Sequence, residues 1–287
     1  MKNQKNIRVE ENSFFVMKLS IKFFLARLLI KLHLSQYFII KQKHYNLRFF
    51  PSTLSRELWI NPQYLDMYWK YRTNFFWNYL IPGDIVIDIG SHIGTVTLES
   101  ASKVGDSGKI YSIEAHPKIF KFLNQNISLN NFQNITTFNL ALGNESGIVN
   151  FSDLHTDPSN VVISNDDGIK VEMKKLDELS ITESKISLLK IYVEGFEKFV
   201  FLGGKELLTK VDCVHFSCNI QKFKENNYEY KEIFSFLSNC GFSLYRFHNE
   251  SQITAVTSEY SPKKEEMLAI RNMNDFLKRT GYKILKH

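Results

Sequence analysis

The sequence predicts an α/β chain built on a doubly wound, mostly parallel sheet. From Asp84 onward, short β-branched runs alternate with segments of helical spacing, as expected when each strand is followed by a crossover helix. The first run ends in a glycine turn that opens directly into a helical segment, and that join marks the first βα unit of such a sheet. At 287 residues the chain can bury a full core, with room for one large domain and an appendage.

Residues 14 to 40 are apolar but interrupted by Lys18, Lys22, Arg27 and Lys31 at intervals of four or five. A membrane-spanning helix or a signal segment does not tolerate that frequency of charge. An amphipathic helix does, with Phe23, Leu25, Leu28, Leu29 and Leu32 filling much of the rest. It could lie on an anionic membrane surface, pair with a second protomer, or cap the core. Nine aromatic residues between Trp59 and Tyr79 suit a helix from about Gln63 to Leu80 packed on the sheet. Near a site mouth, such rings can also hold a sugar face.

Pro82-Gly83-Asp84 punctuates the start of the main domain. Strands are expected at 85–89, 109–114 and 135–140, with helices at 94–103 and 117–130 between them. Residues 148–151 pair with 170–173 as a short hairpin. The Asp-, Ser- and Asn-rich stretch from Asp153 to Gly168 reads as a loop or lid. A strand at 188–193, a helix at 197–208, a strand at 211–217 and a helix at 230–240 follow. Residues 242–247 and 253–257 close the sheet as an antiparallel pair. The expected division is a helical extension over 1–80, the main domain over 81–260 and a basic helical tail over 261–287.

Composition narrows the function. The net charge of +6 is moderate and concentrated near the two ends. Without nucleic-acid motifs it does not point to DNA or RNA. Cys213, Cys218 and Cys240 lack paired or zinc-ligand spacing and read as reduced thiols, which favours a cytoplasmic protein. No carboxylate and histidine cluster calls for a metal.

Asp84 to Gly94 reads D-I-V-I-D-I-G-S-H-I-G. Gly-x-x-x-Gly with Asp88 two residues before Gly90 is neither a nicotinamide fingerprint nor a phosphate loop. It suits S-adenosylmethionine (SAM) better, with Ser91, His92 and Gly94 completing the turn. Some twenty residues on, Glu114 ends the next strand, where a carboxylate accepts from both ribose hydroxyls. Lys190, Tyr192 and Glu194 end a later parallel strand and, by alternation, share one face at the end where open sheets assemble their sites. Glu194 is the candidate base or hydroxyl-orienting group, and Lys190 the candidate stabiliser of developing oxyanion charge. A buried Lys-Glu pair that merely holds the loop is the structural alternative.

The chain resembles the FkbM family of SAM-dependent methyltransferases over about residues 80 to 250. The matching residues are Asp88-Ile-Gly90-Ser-His-Ile-Gly94, Ile113-Glu114-Ala-His-Pro117, Ala141-Leu-Gly143 and Val193-Glu194-Gly195-Phe-Glu197. The resemblance implies a Rossmann-like, seven-stranded class I methyltransferase sheet whose last two strands are the antiparallel hairpin. It also implies methyl transfer to a hydroxyl of a sugar, glycan precursor or natural product. Asp88 to Gly94 would hold the methionine part of SAM and Glu114 the ribose. Asn139 to Leu142, including Ala141, would lie near the adenine.

Two departures stand out against that family. Tyr192 occupies a position that is usually acidic, and Ser217 lies where a glutamate usually follows the fifth strand. Tyr192 is a poor base, although its ring could face the sulfonium as a cation-π partner. His116 and His215 are the candidate replacement bases. The expectation is therefore a SAM-dependent O-methyltransferase, cytoplasmic or peripheral at the inner membrane surface through residues 14–40, and able to form a homo-oligomer. A catalytically impaired SAM-binding or scaffold protein is the alternative.

Overall fold

The computed structural model describes residues 20–64, 70–153, 160–163, 167–257 and 259–285, and of residues 70–74 only the backbone path. A helix covers 20–31, so the N-terminal part of the amphipathic expectation lies outside the described residues. A small hairpin follows, made of β1 (Ile39–Lys41) and β2 (Asn46–Arg48). Ser52 caps the helix Thr53–Ile60, its hydroxyl accepting from the Ser55 amide. The aromatic segment contains the helix Lys70–Tyr79, and residues 65–69 lie outside the described residues.

The central sheet has nine strands rather than seven. Five consecutive strands run parallel to one another: β3 (Ile85–Ile89), β4 (Lys109–Ile113), β5 (Ile135–Phe138), β10 (Ile186–Ile191) and β11 (Val211–Asn219). A separate four-stranded sheet is formed by β6 (Ala141–Leu142), β7 (Gly147–Phe151), β8 (Val162–Ile163) and β9 (Ile169–Lys174). The expected hairpin is there, with Val149 opposite Val171. β12 (Ser243–Asn249), β13 (Gln252–Ala255), β14 (Lys264–Ile270) and β15 (Lys283–Leu285) complete the large sheet, whose order is β15-β13-β12-β14-β11-β10-β3-β4-β5.

The edge of the sheet corrects the sequence reading. β12 and β13 do pair, but β14 lies between β12 and β11, antiparallel to both. Residues 264–270, expected in a helical tail, carry Met267 to Ile270 fully inside. Their charged start, Lys264-Glu-Glu, hides the strand from a hydropathy reading. The rest of that segment is the helix Met273–Thr280 and the edge strand β15. The expected helix 197–208 is split by Gly203-Gly204 into Glu197–Leu202 and Lys205–Leu208. A side chain at Gly203 would stand 1.9 Å from the Gly143 carbonyl.

The layers follow from burial. All six residues of β10 are buried, as expected for a central parallel strand covered on both faces. One apolar cluster joins β10 and β11 to the helices Glu197–Leu202 and Tyr230–Asn239. On the other face, Phe75, Phe76 and Tyr79 pack against Val86, Ile110, Leu188 and Phe276, so the aromatic segment serves the core. A third cluster seats the helix 20–31 through Ala26 on Leu54, Leu58, Ile93, Leu98 and Ile119.

Candidate active site

The site grows from one transverse row of the sheet. Register places Ser112 on β4, Asp88 on β3, Lys190 on β10 and His215 on β11 beside one another. In-register residues of parallel strands point to the same face, so four chain-distant polar groups are brought side by side inside the core. Asp88 is fully buried and Lys190 nearly so, and their charged atoms are 2.8 Å apart. Thr97 donates to the second Asp88 oxygen at 2.6 Å. The Ser112 hydroxyl lies 2.8 Å from both Thr97 Oγ1 and Ser91 Oγ, and Ser91 donates to the Asp88 carbonyl at 2.7 Å.

Lys190 Nζ also donates to the Ile89 and Gly90 carbonyls at 3.1 and 2.7 Å. Its 2.8 Å contact with Asp88 is an ion pair beside these two hydrogen bonds. Lys190 therefore holds the glycine turn rather than standing ready for a developing oxyanion. Asp88 likewise lies beneath the turn and organises it, instead of facing the cavity. For the loop-holding role considered from the sequence, the partner is Asp88 rather than a glutamate.

Gly90 adopts φ +73°, and a Cβ there would lie 1.9 Å from the Tyr192 carbonyl oxygen. The turn can pass the end of β10 only because that atom is missing. Gly94 adopts φ +93° and precedes the helix Thr95–Val104, where a Cβ would meet Leu123 at 2.8 Å. Its role is tight packing between helices.

The resulting cavity is continuous from the glycine turn to the end of β10. Gly90, Ser91, His92, Glu114 and Ala141 line one part, and Lys190, Tyr192, Val193 and Glu194 another. Glu114 accepts from the His92 amide on one oxygen and the His116 amide on the other, each at 2.9 Å. Burial pushes its carboxyl up to about 7, against the pull of those two amides and Lys190. Each oxygen keeps a further lone pair toward the cavity. Leu140, Ala141 and Leu142 form an apolar wall, fixed by Asn139, which donates to the Glu114 and Ala115 carbonyls at 2.9 and 3.0 Å.

The far end differs from the simple alternation predicted for it. β10 stops at Ile191, and Glu194 and Gly195 both take positive φ, +51° and +104°. Lys190, Tyr192 and Glu194 thus reach the cavity from a strand and a turn rather than from one strand face. The Lys190 ammonium lies 4.8 Å from the Tyr192 ring centroid, and the Tyr192 hydroxyl is 3.4 Å from His215 Nε2.

Glu197 is the residue that sequence reasoning missed. It is fully buried, accepting from the Val193 and Gly195 amides at 3.2 and 2.9 Å and from the Ser217 hydroxyl at 2.9 Å. Burial raises it to about 7. The signal was its place three residues after Glu194, at a helix start where a carboxylate can take free amides.

Both candidate replacement histidines are buried. His116 caps the helix Pro117–Asn130 and lies 3.1 Å from Asp153, with 2% of its surface exposed. His215 is 0% exposed, enclosed by Phe75, Phe76 and Phe247, with Glu266 3.6 Å away. The loop expected from Asp153 to Gly168 lies partly outside the described residues; Asn160 and Val162 line the cavity. Among the described residues no group of three or more metal-ligating side chains occurs.

Residues 88–244 match the family model for the methyltransferase FkbM domain, more than half of the chain. No curated protein matches it. Among solved structures, a methyltransferase FkbM from Methylobacillus flagellatus is similar at 11% identity and TM-score 0.45, covering 75% of this chain and 52% of its own. A SAM-dependent methyltransferase from Aquifex aeolicus is similar at 11% identity and TM-score 0.45, covering 74% and 94%. A SAM-dependent O-methyltransferase from Thermotoga maritima shares 16% identity at TM-score 0.40, covering 69% and 64%.

Proposed function

The chain belongs to the FkbM methyltransferase family, and we propose that it transfers the methyl group of SAM to a hydroxyl oxygen of a sugar, glycan precursor or natural product. The observation that carries this reading is the single cavity joining Glu114 and Ala141 to Tyr192 and Glu194. A cofactor held at one end presents its methyl toward groups suited to a hydroxyl at the other.

The residues fit SAM. Gly90 and Ser91 line the cavity at the turn, Glu114 offers two carboxylate oxygens to a ribose, and the Leu140–Leu142 wall suits a flat base. When bound, SAM supplies an activated methyl whose leaving group is already positive. The protein's own task is to hold the acceptor oxygen in line, exclude water and remove one proton.

Glu194 is the proposed proton acceptor, since it lines the cavity on a half-buried turn while Lys190 is committed to Asp88 and the turn carbonyls. Tyr192 shapes the approach. With its ring above Lys190 and its hydroxyl toward His215, it positions rather than deprotonates. Glu194→Gln should lower turnover about 10²- to 10⁴-fold while leaving the SAM dissociation constant within about twofold. The measurement is labelled-methyl transfer to a panel of sugar and glycan acceptors, beside calorimetry with SAM.

A second reading rests on the acid positions held by Tyr192 and Ser217 and on the commitment of Lys190. It makes the chain a SAM-binding module without transfer. Tight SAM binding with no methylated product from any acceptor would favour it; absence of SAM binding would remove both readings.

A further inference from the structure

The helix over 20–31 has two apolar faces, and among the described residues only one of them is packed. Ala26 is fully buried, Leu29 and Ile30 pack beside it, and the stem of Lys22 leans inward so that its ammonium donates to the Ile60 carbonyl at 3.1 Å. At about 100° per residue, Ile21, Phe24, Leu25, Leu28 and Leu32 fall together on a separate stripe about 100° wide. All five are exposed, Phe24 at 66%. The stripe continues into Leu34 and Phe38. Ten of the thirteen exposed large apolar side chains among the described residues lie between Ile21 and Ile39. Scattered apolar residues need no explanation, but a contiguous stripe does.

Charge identifies what the stripe fits. Residues 20–48 contain six lysines and arginines and no aspartate or glutamate, in a chain whose overall balance is 36 to 30. Arg27 and Lys31 follow the flank of the apolar stripe, and Lys41 and Lys43 extend the basic edge. Arg27 and Arg56 also lie over the Phe23 ring, at 5.7 and 5.3 Å. A protein partner would more often offer acids placed against particular bases. An apolar stripe bordered by bases on one side matches the acyl boundary and headgroups of an anionic bilayer. No described helix is long and apolar enough to cross a membrane, which leaves in-plane seating as the geometry available to this one.

We propose that the exposed face of the helix 20–31, with the segment to Ile39, docks on an anionic lipid surface. The apolar cluster that seats this helix includes Leu54, which also lines the cavity. The docked face and the cavity are therefore linked through one packed cluster.

The test uses the full chain and sedimentation with vesicles of phosphatidylcholine alone or mixed with phosphatidylglycerol. The chain should bind the mixed vesicles and not the neutral ones, and salt should weaken the binding. Phe24→Glu with Leu28→Glu should lower the partition coefficient at least about tenfold, and Arg27→Gln with Lys31→Gln should lower it less and flatten the salt dependence. Both pairs are exposed, so circular dichroism and the thermal midpoint should match the parent. Equal partitioning of parent and Phe24/Leu28 variant would overturn the proposal. So would absence of vesicle binding, whether because residues 1–19 cover the face or because a second copy does. In the latter case light scattering shows a dimer that the same variant dissolves.

Discussion

At the glycine-turn end of the cavity, polar side chains are closed onto one another inside the core. Lys190 pairs with Asp88 and donates to the Ile89 and Gly90 carbonyls, and Thr97, Ser112 and Ser91 link the rest. At the Tyr192–Gly195 end, the backbone turns through positive φ and one buried carboxylate, Glu197, gathers the amides of that turn. The first end is a fixed cradle made by sheet register. The second is a turn whose shape depends on a group that can gain a proton near neutrality. A cofactor common to a family suits the former, and an acceptor that varies within it suits the latter.

The largest effect expected from breaking this contrast is at Lys190. Lys190→Met leaves Asp88 buried without its partner charge, and loss of one member of a buried pair costs about 3–5 kcal/mol. Adding Asp88→Asn should recover a substantial part of that loss, because the unpaired charge is then gone. Urea denaturation of the single and double variants checks it. Recovery absent from the double variant would mean that Lys190 acts mainly through the two turn carbonyls. Gly90→Ala is next. It adds a Cβ in contact with the Tyr192 carbonyl at a backbone angle unfavourable to alanine, for a cost of about 3 kcal/mol. SAM binding by calorimetry should disappear in that variant even where the fold survives.

The cradle was the more legible half in the sequence. Glycine spacing and the acid at Glu114 are local signals, and Gly90 and Glu114 both line the cavity. Asp88 and Lys190 were legible as site residues but not as partners, because their pairing depends on the register of β3 against β10, about a hundred residues apart. The sheet edge failed for a related reason. β14 begins with Lys264-Glu-Glu and is inserted between strands that precede it in the chain, so neither hydropathy nor chain order announces it. At the acceptor end, alternation was extended past Ile191 into residues that have left the strand.

Glu114 gives a smaller, graded effect that separates the two ends by pH. Its carboxyl titrates at about 7, raised mainly by burial, and a ribose hydroxyl is best accepted by the ionised form. SAM affinity should therefore rise with pH through about 7, being about tenfold weaker at pH 6 than at pH 8. The stability of the free protein runs the other way. A carboxyl whose folded pKa is raised binds its proton more tightly when folded, so the gain is complete below the unfolded value near 4.5 and is lost as pH rises through about 7. Glu114→Gln should flatten the pH dependence of binding. Calorimetry across that range checks both the slope and its loss.

Ser217→Ala carries the smallest effect and addresses the acceptor end alone. Ser217 was read from the sequence as an acid lost from the family pattern. In the fold its hydroxyl serves an acid already present, donating to Glu197 at 2.9 Å. Removing that donor leaves Glu197 with the Val193 and Gly195 amides, and a single hydrogen bond of this kind is worth about 1 kcal/mol. Because the Ser217 bond favours the ionised form, its loss should also move Glu197 further up, so more of it is protonated at neutral pH. The acceptor turn should loosen while the cradle does not. Hydrogen exchange at the Val193 and Gly195 amides should speed up with little change at Gly90 and Ser91, whose amides donate to the Ile113 carbonyl. Equal acceleration at both ends would show that the two halves of the cavity move as one unit.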